Sequence, residues 1–134
     1  FKTSNGKYIA PQMIESKILV DKYVDQIAII ADQRKFVSAL IIPVYHLLEE
    51  YAREHGIKFE GREDLCQNEQ INQMMMERID TLQQQLAHYE QIKRFTLLPH
   101  AFSMERGELT NTLKIKRRVL NENYKAQIDK MYEE

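Results

Sequence analysis

Two periods of apolar residues alternate along this 134-residue chain. Val24 to Ala31 and Phe36 to Ile42 are near-continuous runs rich in β-branched residues, which marks buried strands. The polar tetrapeptide Asp32-Gln33-Arg34-Lys35 between them is short enough for an antiparallel hairpin, and Pro43 should end the second strand. Elsewhere the period is helical. Met13, Ile14, Ile18 and Leu19 share a face after Pro11, in a segment ending near Asp21, and Tyr45, Leu48 and Ala52 do so until His55-Gly56. Ile71, Met75, Ile79, Leu82, Leu86 and Tyr89 form the stripe of a long helix from Asn68 to Tyr89. Val119, Leu120, Tyr124, Ile128 and Tyr132 predict a last helix.

The remaining segments connect these elements. Ile92 to Leu98 reads as a further strand stopped by Pro99, Ile57 to Asp64 as a loop, and Ser103 to Lys116 as irregular chain turning at Gly107. Ser4-Asn5-Gly6, flanked by Phe1-Lys2 and Lys7-Tyr8-Ile9, predicts a small hairpin, because Asn and Gly accept positive φ. Irregular alternation with hairpin connections predicts an α+β class. The expected architecture is a small antiparallel sheet flanked by helices, in one domain over residues 1–134.

Composition narrows the function classes. An apolar content of 43% is enough for a core without disulfides or metal. A net charge of −1, from 19 basic against 20 acidic residues, provides no global attraction to nucleic acid or acidic lipid. One cysteine, Cys66, forms no internal disulfide, and the four histidines lack the spacing of a zinc site, so no metal ligands are expected. A reducing, cytoplasmic setting is the expectation. No apolar run approaches the roughly 20 residues needed to cross a bilayer. Because Phe1 opens the chain directly into a structural pattern, a fragment of something larger is expected.

Four clusters could carry chemistry. Lys114-Ile115-Lys116-Arg117-Arg118 concentrates positive charge after Thr110, Asn111 and Thr112. By itself it reads as a solvated helix start. Nucleic acid is disfavoured, because no stacking aromatics are interleaved with these cations, which leaves a loop lysine able to meet a phosphate or carboxylate. Ser4-Asn5-Gly6-Lys7-Tyr8 lacks the spacing of a phosphate loop and reads as a turn. His46 and Glu50 sit one helical turn apart with no third ligand, and Cys66 has no fixed base beside it.

Longer segments change this picture. Gly6-Lys7-Tyr8-Ile9-Ala10-Pro11-Gln12-Met13-Ile14-Glu15 resembles the glycine-x-x-isoleucine-x-proline-x-x-isoleucine-glutamate motif just past the hinge of adenylate-forming ligases. A hundred residues on, Glu108-Leu109-Thr110-Asn111-Thr112-Leu113-Lys114-Ile115-Lys116-Arg117-Arg118 resembles the segment that carries their catalytic lysine. Within that superfamily the Thr-x-Thr-x-Lys-Ile-Lys-Arg form looks most like the long-chain fatty acid–CoA ligases, with Leu113 where many relatives have glycine. The resemblance covers essentially the whole chain.

It implies a carboxyl-terminal domain that rotates between two half-reactions. ATP and a fatty acid first give acyl-adenylate, and CoA then displaces AMP. Lys114 would serve the first step, Gly6, Lys7 and Tyr8 would line the pantetheine channel in the second, and Lys116, Arg117 and Arg118 would contact CoA phosphates. The contact of Lys116, Arg117 and Arg118 with CoA phosphates is an expectation from their charge alone, outside what the resemblance implies. Magnesium, ATP and the acyl chain would bind the larger amino-terminal domain, the expected partner, so these residues alone should be catalytically silent. Peripheral membrane association of the full enzyme stays open. The alternative is a freestanding interaction module that uses the helix bearing Met74-Met75-Met76.

Overall fold

In a computed structural model, which describes residues 1–133, the two predicted strands form as antiparallel neighbours, β1 (Val24–Ile30) and β2 (Val37–Pro43). All seven positions of β2 are buried, as a strand covered on both faces requires. Side chains alternate across the sheet. Ile27, Ile29, Val37, Ala39 and Ile41 enter one core, while Ala28, Ile30, Leu40 and Ile42 enter another.

The first core is closed by four helices: α1 (Pro11–Ile18), α2 (Tyr45–Glu54), α3 (Arg62–Gln67) and α4 (Glu69–Leu82). Helix α1 starts on Pro11, whose missing N–H is unneeded there, and buries Ile14 and Ile18 one turn apart. Helix α4 is capped by Asn68, whose side-chain oxygen accepts the Ile71 N–H at 3.1 Å, and it buries Ile71, Met75 and Ile79 at i, i+4 spacing. The second core is closed by α5 (Arg117–Asn123) and α6 (Lys125–Met131), through Leu120, Tyr124, Ile128 and Met131, together with Leu98, Phe102 and Leu109.

The structure corrects four expectations while keeping the α+β class. The sheet is mixed rather than antiparallel: β3 (Ile92–Leu97) pairs parallel to β2. The chain leaves β2, crosses one face through α2, α3 and α4, and so re-enters from the same end. The long helix stops at Leu82 instead of Tyr89. There Gln83 turns inward and bonds both backbone groups of Ile92, accepting its N–H at 2.7 Å and donating to its C=O at 3.0 Å. Leu86 then packs on the core from a turn, and Tyr89 lies half-exposed in a single 3₁₀ turn, His88–Glu90. The loop expected over 57–64 already enters α3 at Arg62. The last helix is two, broken at Tyr124 (φ −115°, ψ 26°), and the break brings both Leu120 and Ile128 onto the sheet.

Candidate functional site

The two segments singled out in the sequence fold into the same turn. In the first, the Thr3 N–H donates to the Lys7 carbonyl at 2.9 Å and the Gly6 N–H to the Thr3 carbonyl at 2.9 Å. The Lys7 N–H donates to Thr3 Oγ1 at 3.2 Å. In the second, the Thr110 N–H donates to the Lys114 carbonyl at 2.8 Å, the Leu113 N–H to the Thr110 carbonyl at 2.8 Å, and the Lys114 N–H to Thr110 Oγ1 at 3.0 Å. Each turn is closed by an antiparallel bridge, Lys2 with Tyr8 and Leu109 with Ile115. In each, the residue before the lysine is left-handed, Gly6 at φ 82° and Leu113 at φ 63°. This is the three-residue hairpin loop whose last position wants glycine.

Lys7 and Lys114 thus occupy equivalent positions. Their backbones are pinned on both sides by a threonine, and their side chains are exposed. Neither has a carboxylate within salt-bridge distance among the described residues. The Lys7 ammonium lies 5.4 Å from the centroid of the Tyr89 ring. Near Lys114, the Thr110 and Thr112 hydroxyls are 3.1 Å apart.

What anchors the two turns differs. The first rests on the β1–β2 connection through main-chain bonds, Ser4 N–H to the Arg34 carbonyl and Gln33 N–H to the Lys2 carbonyl, both 2.9 Å. The second is rooted in Glu108, whose side chain is fully buried. Its carboxylate accepts the Ser103 N–H at 3.0 Å, Arg106 Nε at 3.2 Å and Asn123 Nδ2 at 3.1 Å, while its carbonyl accepts the Lys116 N–H at 2.8 Å. Burial alone would raise its pKa, but donors from Asn123, Arg106 and the Ser103 N–H outweigh it and hold the carboxyl below its ordinary value. The neighbouring Tyr124 hydroxyl is buried without a hydrogen bond of good geometry, and burial first, then Glu108, pushes it up to about 12.

Of the three cations Lys116, Arg117 and Arg118, two face solvent unengaged by the core. Lys116 is exposed, and Arg118 is an exposed partner of Glu122 at 3.0 Å. Arg117 turns inward and forks onto Glu15, with contacts of 2.5 and 2.8 Å, beside the Phe1 ring. Glu15 also accepts the Ile29 N–H at 2.8 Å. A bidentate pair therefore ties the last residue of the first motif to the second motif. Neither this pair nor the Thr-Lys turn was anticipated from the sequence, although Thr-x-x-x-Lys occurs at both 3–7 and 110–114.

Cys66 is buried, its thiol 3.6 Å from the Leu98 carbonyl and pushed up to about 11 by burial. The Met-rich stretch of α4 also faces inward: Met75 is buried and Met74 and Met76 pack against the core.

Comparison with known proteins fits this architecture. The profile described as AMP-binding enzyme C-terminal domain matches residues 2–134. Human long-chain-fatty-acid–CoA ligase 1 is 35% identical over 136 residues, covering 98% of this chain and 19% of that protein. Long chain acyl-CoA synthetase 7, peroxisomal, of Arabidopsis thaliana is 34% identical over 139 residues, covering 100% and 20%. The chain therefore spans about a fifth of the length of these relatives. Among solved structures, the adenylation domain of a carboxylate reductase from Mycobacterium chelonae shares the fold, with a TM-score of 0.79 and 21% identity over 98% of this chain and 19% of that one. With a profile match over nearly its whole length and two eukaryotic relatives at a third identity, the chain belongs to the family of AMP-binding enzyme C-terminal domains.

Proposed function

We propose that this domain serves an AMP-forming long-chain fatty acid–CoA ligase and that Lys114 acts in its adenylation step. The observation that carries the reading is the Lys114 turn: an exposed ammonium, unpaired with any carboxylate among the described residues, on a backbone locked by Thr110. The long-chain ligases that match the whole chain support the substrate class.

In the first half-reaction a fatty carboxylate oxygen attacks the α-phosphorus of ATP, and the bond to pyrophosphate breaks. Two anions must approach, and a preorganised cation between them stabilises the developing charge. The donors that this turn carries suit a phosphate: the exposed Lys114 ammonium, and the Thr110 and Thr112 hydroxyls, 3.1 Å from each other. In the second, the CoA thiol attacks the acyl carbon and AMP leaves. For that step the domain rotates, bringing the Gly6 turn with Lys7 and Tyr8 to the pantetheine channel, where glycine permits close backbone approach. Lys116 and Arg118 are the cations available to CoA phosphates, since Arg117 is committed to Glu15. Magnesium and the acyl chain belong to the amino-terminal domain. With Met75 buried and Met74 and Met76 packed against the core, the interaction-module alternative is not favoured.

The test uses the full-length ligase. Lys114→Ala should slow pyrophosphate release from ATP plus palmitate on the order of a hundredfold or more, and leave thioester formation from supplied palmitoyl-adenylate near wild type. Wild-type rates in both half-reactions would reject the reading.

A further inference from the structure

The Lys114 hairpin is bonded to itself and to little else. Among the described residues, no hydrogen bond joins residues 109–115 to another element. Leu109 and Ile115 pack on the second core, and apolar contact sets how deep a segment lies without fixing its direction. Direction comes from the residues that flank the hairpin. On the entry side, Glu108 is held by Ser103, Arg106 and Asn123. On the exit side, Arg117 opens α5 and forks onto Glu15 of α1, with one of its nitrogens 3.4 Å from the Ile29 carbonyl. Glu15 accepts the Ile29 N–H at 2.8 Å, so the fork closes on the main chain of β1. Two parallel bonds constrain orientation as well as distance, and with side chains 20% and 9% exposed the pair is little screened by water.

We infer that Arg117, gripped by Glu15, is a positioning residue for Lys114: it sets the direction of the chain three residues beyond the lysine and so aims the ammonium for adenylation. The inference rests on the adenylation reading of Lys114 above. Arg117 acts through the backbone, because its guanidinium is taken up inside the domain. Glu15 takes part from 102 positions away, and through it the sheet and α1 become the base on which the hairpin is aimed.

The experiment uses the full-length ligase with Glu15→Gln, Arg117→Lys and Lys114→Met, and with each of the first two combined with the third. Glu15→Gln cuts the fork without altering any residue of the hairpin segment. Pyrophosphate release from ATP plus palmitate is measured per folded molecule, below the melting temperature of every variant. Glu15→Gln should lower kcat about tenfold or more while KM for ATP stays near wild type. Arg117→Lys keeps a cation with one bond to Glu15 and should lose less. In the Lys114→Met background, either substitution should slow release by less than about twofold further, because the group that it aims is gone. Lower melting temperatures with kcat unchanged in both single variants would make the pair structural only and overturn the inference. A loss as large in the Lys114→Met background as in wild type overturns it too. Failure of Lys114→Met alone to slow pyrophosphate release rejects instead the reading on which it stands.

Discussion

The Gly6 and Lys114 turns are alike in hydrogen bonding and opposite in how they are held. One is fastened by main-chain bonds to a neighbouring turn and carries glycine at its left-handed position. The other is fastened by the side chain of a buried glutamate and carries leucine there. Main-chain anchors survive most substitutions, so the first turn is vulnerable chiefly at Gly6. Side-chain anchors concentrate the dependence in named residues, so the second turn is vulnerable at Glu108. Glu15 and Arg117 join the two segments, and the shared geometry is maintained by unlike means.

The largest effect should come from cutting that join. Arg117→Ala leaves Glu15, whose side chain is 9% exposed, without its cation and should cost about 3 kcal/mol in urea denaturation of the domain. Arg117→Lys should recover only part, because an ammonium cannot fork onto both oxygens. Next, Glu108→Gln should cost about 2 kcal/mol at neutral pH. It should also change the acid limb. The Glu108 pKa is depressed in the folded state, so its stabilisation is complete above the ordinary value of 4.5 and is lost as the pH falls from there through the folded-state pKa. Melting curves between neutral and acid pH should therefore slope less for the glutamine variant than for wild type.

The smaller effects probe the left-handed position itself. A Cβ at Gly6 would meet only the Lys2 side chain, at 3.8 Å, so Gly6→Ala should cost about 1 kcal/mol, all of it conformational. Leu113 is 67% exposed and gives up little burial, so Leu113→Gly should raise stability by about 0.5 kcal/mol, the strain relieved being partly offset by glycine's greater unfolded freedom. If Gly6→Ala and Leu113→Gly shift the melting temperature in the same direction, the two turns are not equivalent.

Periodicity made β1, β2 and α2 legible because each follows one period and ends on proline, glycine or a polar run. In α1 it was right about Ile14 and Ile18, but the helix ends at Ile18 rather than near Asp21, and Met13 and Leu19 are exposed. It was blind to the partner of β3, since a strand's residues state how buried it is and not which neighbour it joins or in which direction. The end of α4 was hidden because Gln83 reads as a surface residue and is 1% exposed, its amide occupied by Ile92. At the site, the resemblance drew attention to Gly6 and Lys114. The Glu15–Arg117 pair bridges 102 positions, and no local pattern encodes a contact at that separation. Arg117, grouped by charge with exposed Lys116 and Arg118, was assigned to a ligand when its guanidinium is spoken for inside the domain.

The buried Cys66 gives the domain an intrinsic clock. Its thiol, on α3 and against the Leu98 carbonyl, is protonated at neutral pH and shielded from reagents. Alkylation then proceeds only when α3 lifts from the sheet, so the labelling rate measures how often that happens. In the isolated domain, where Cys66 is the single cysteine, one reagent thereby reads the local opening of the first core without any engineered probe.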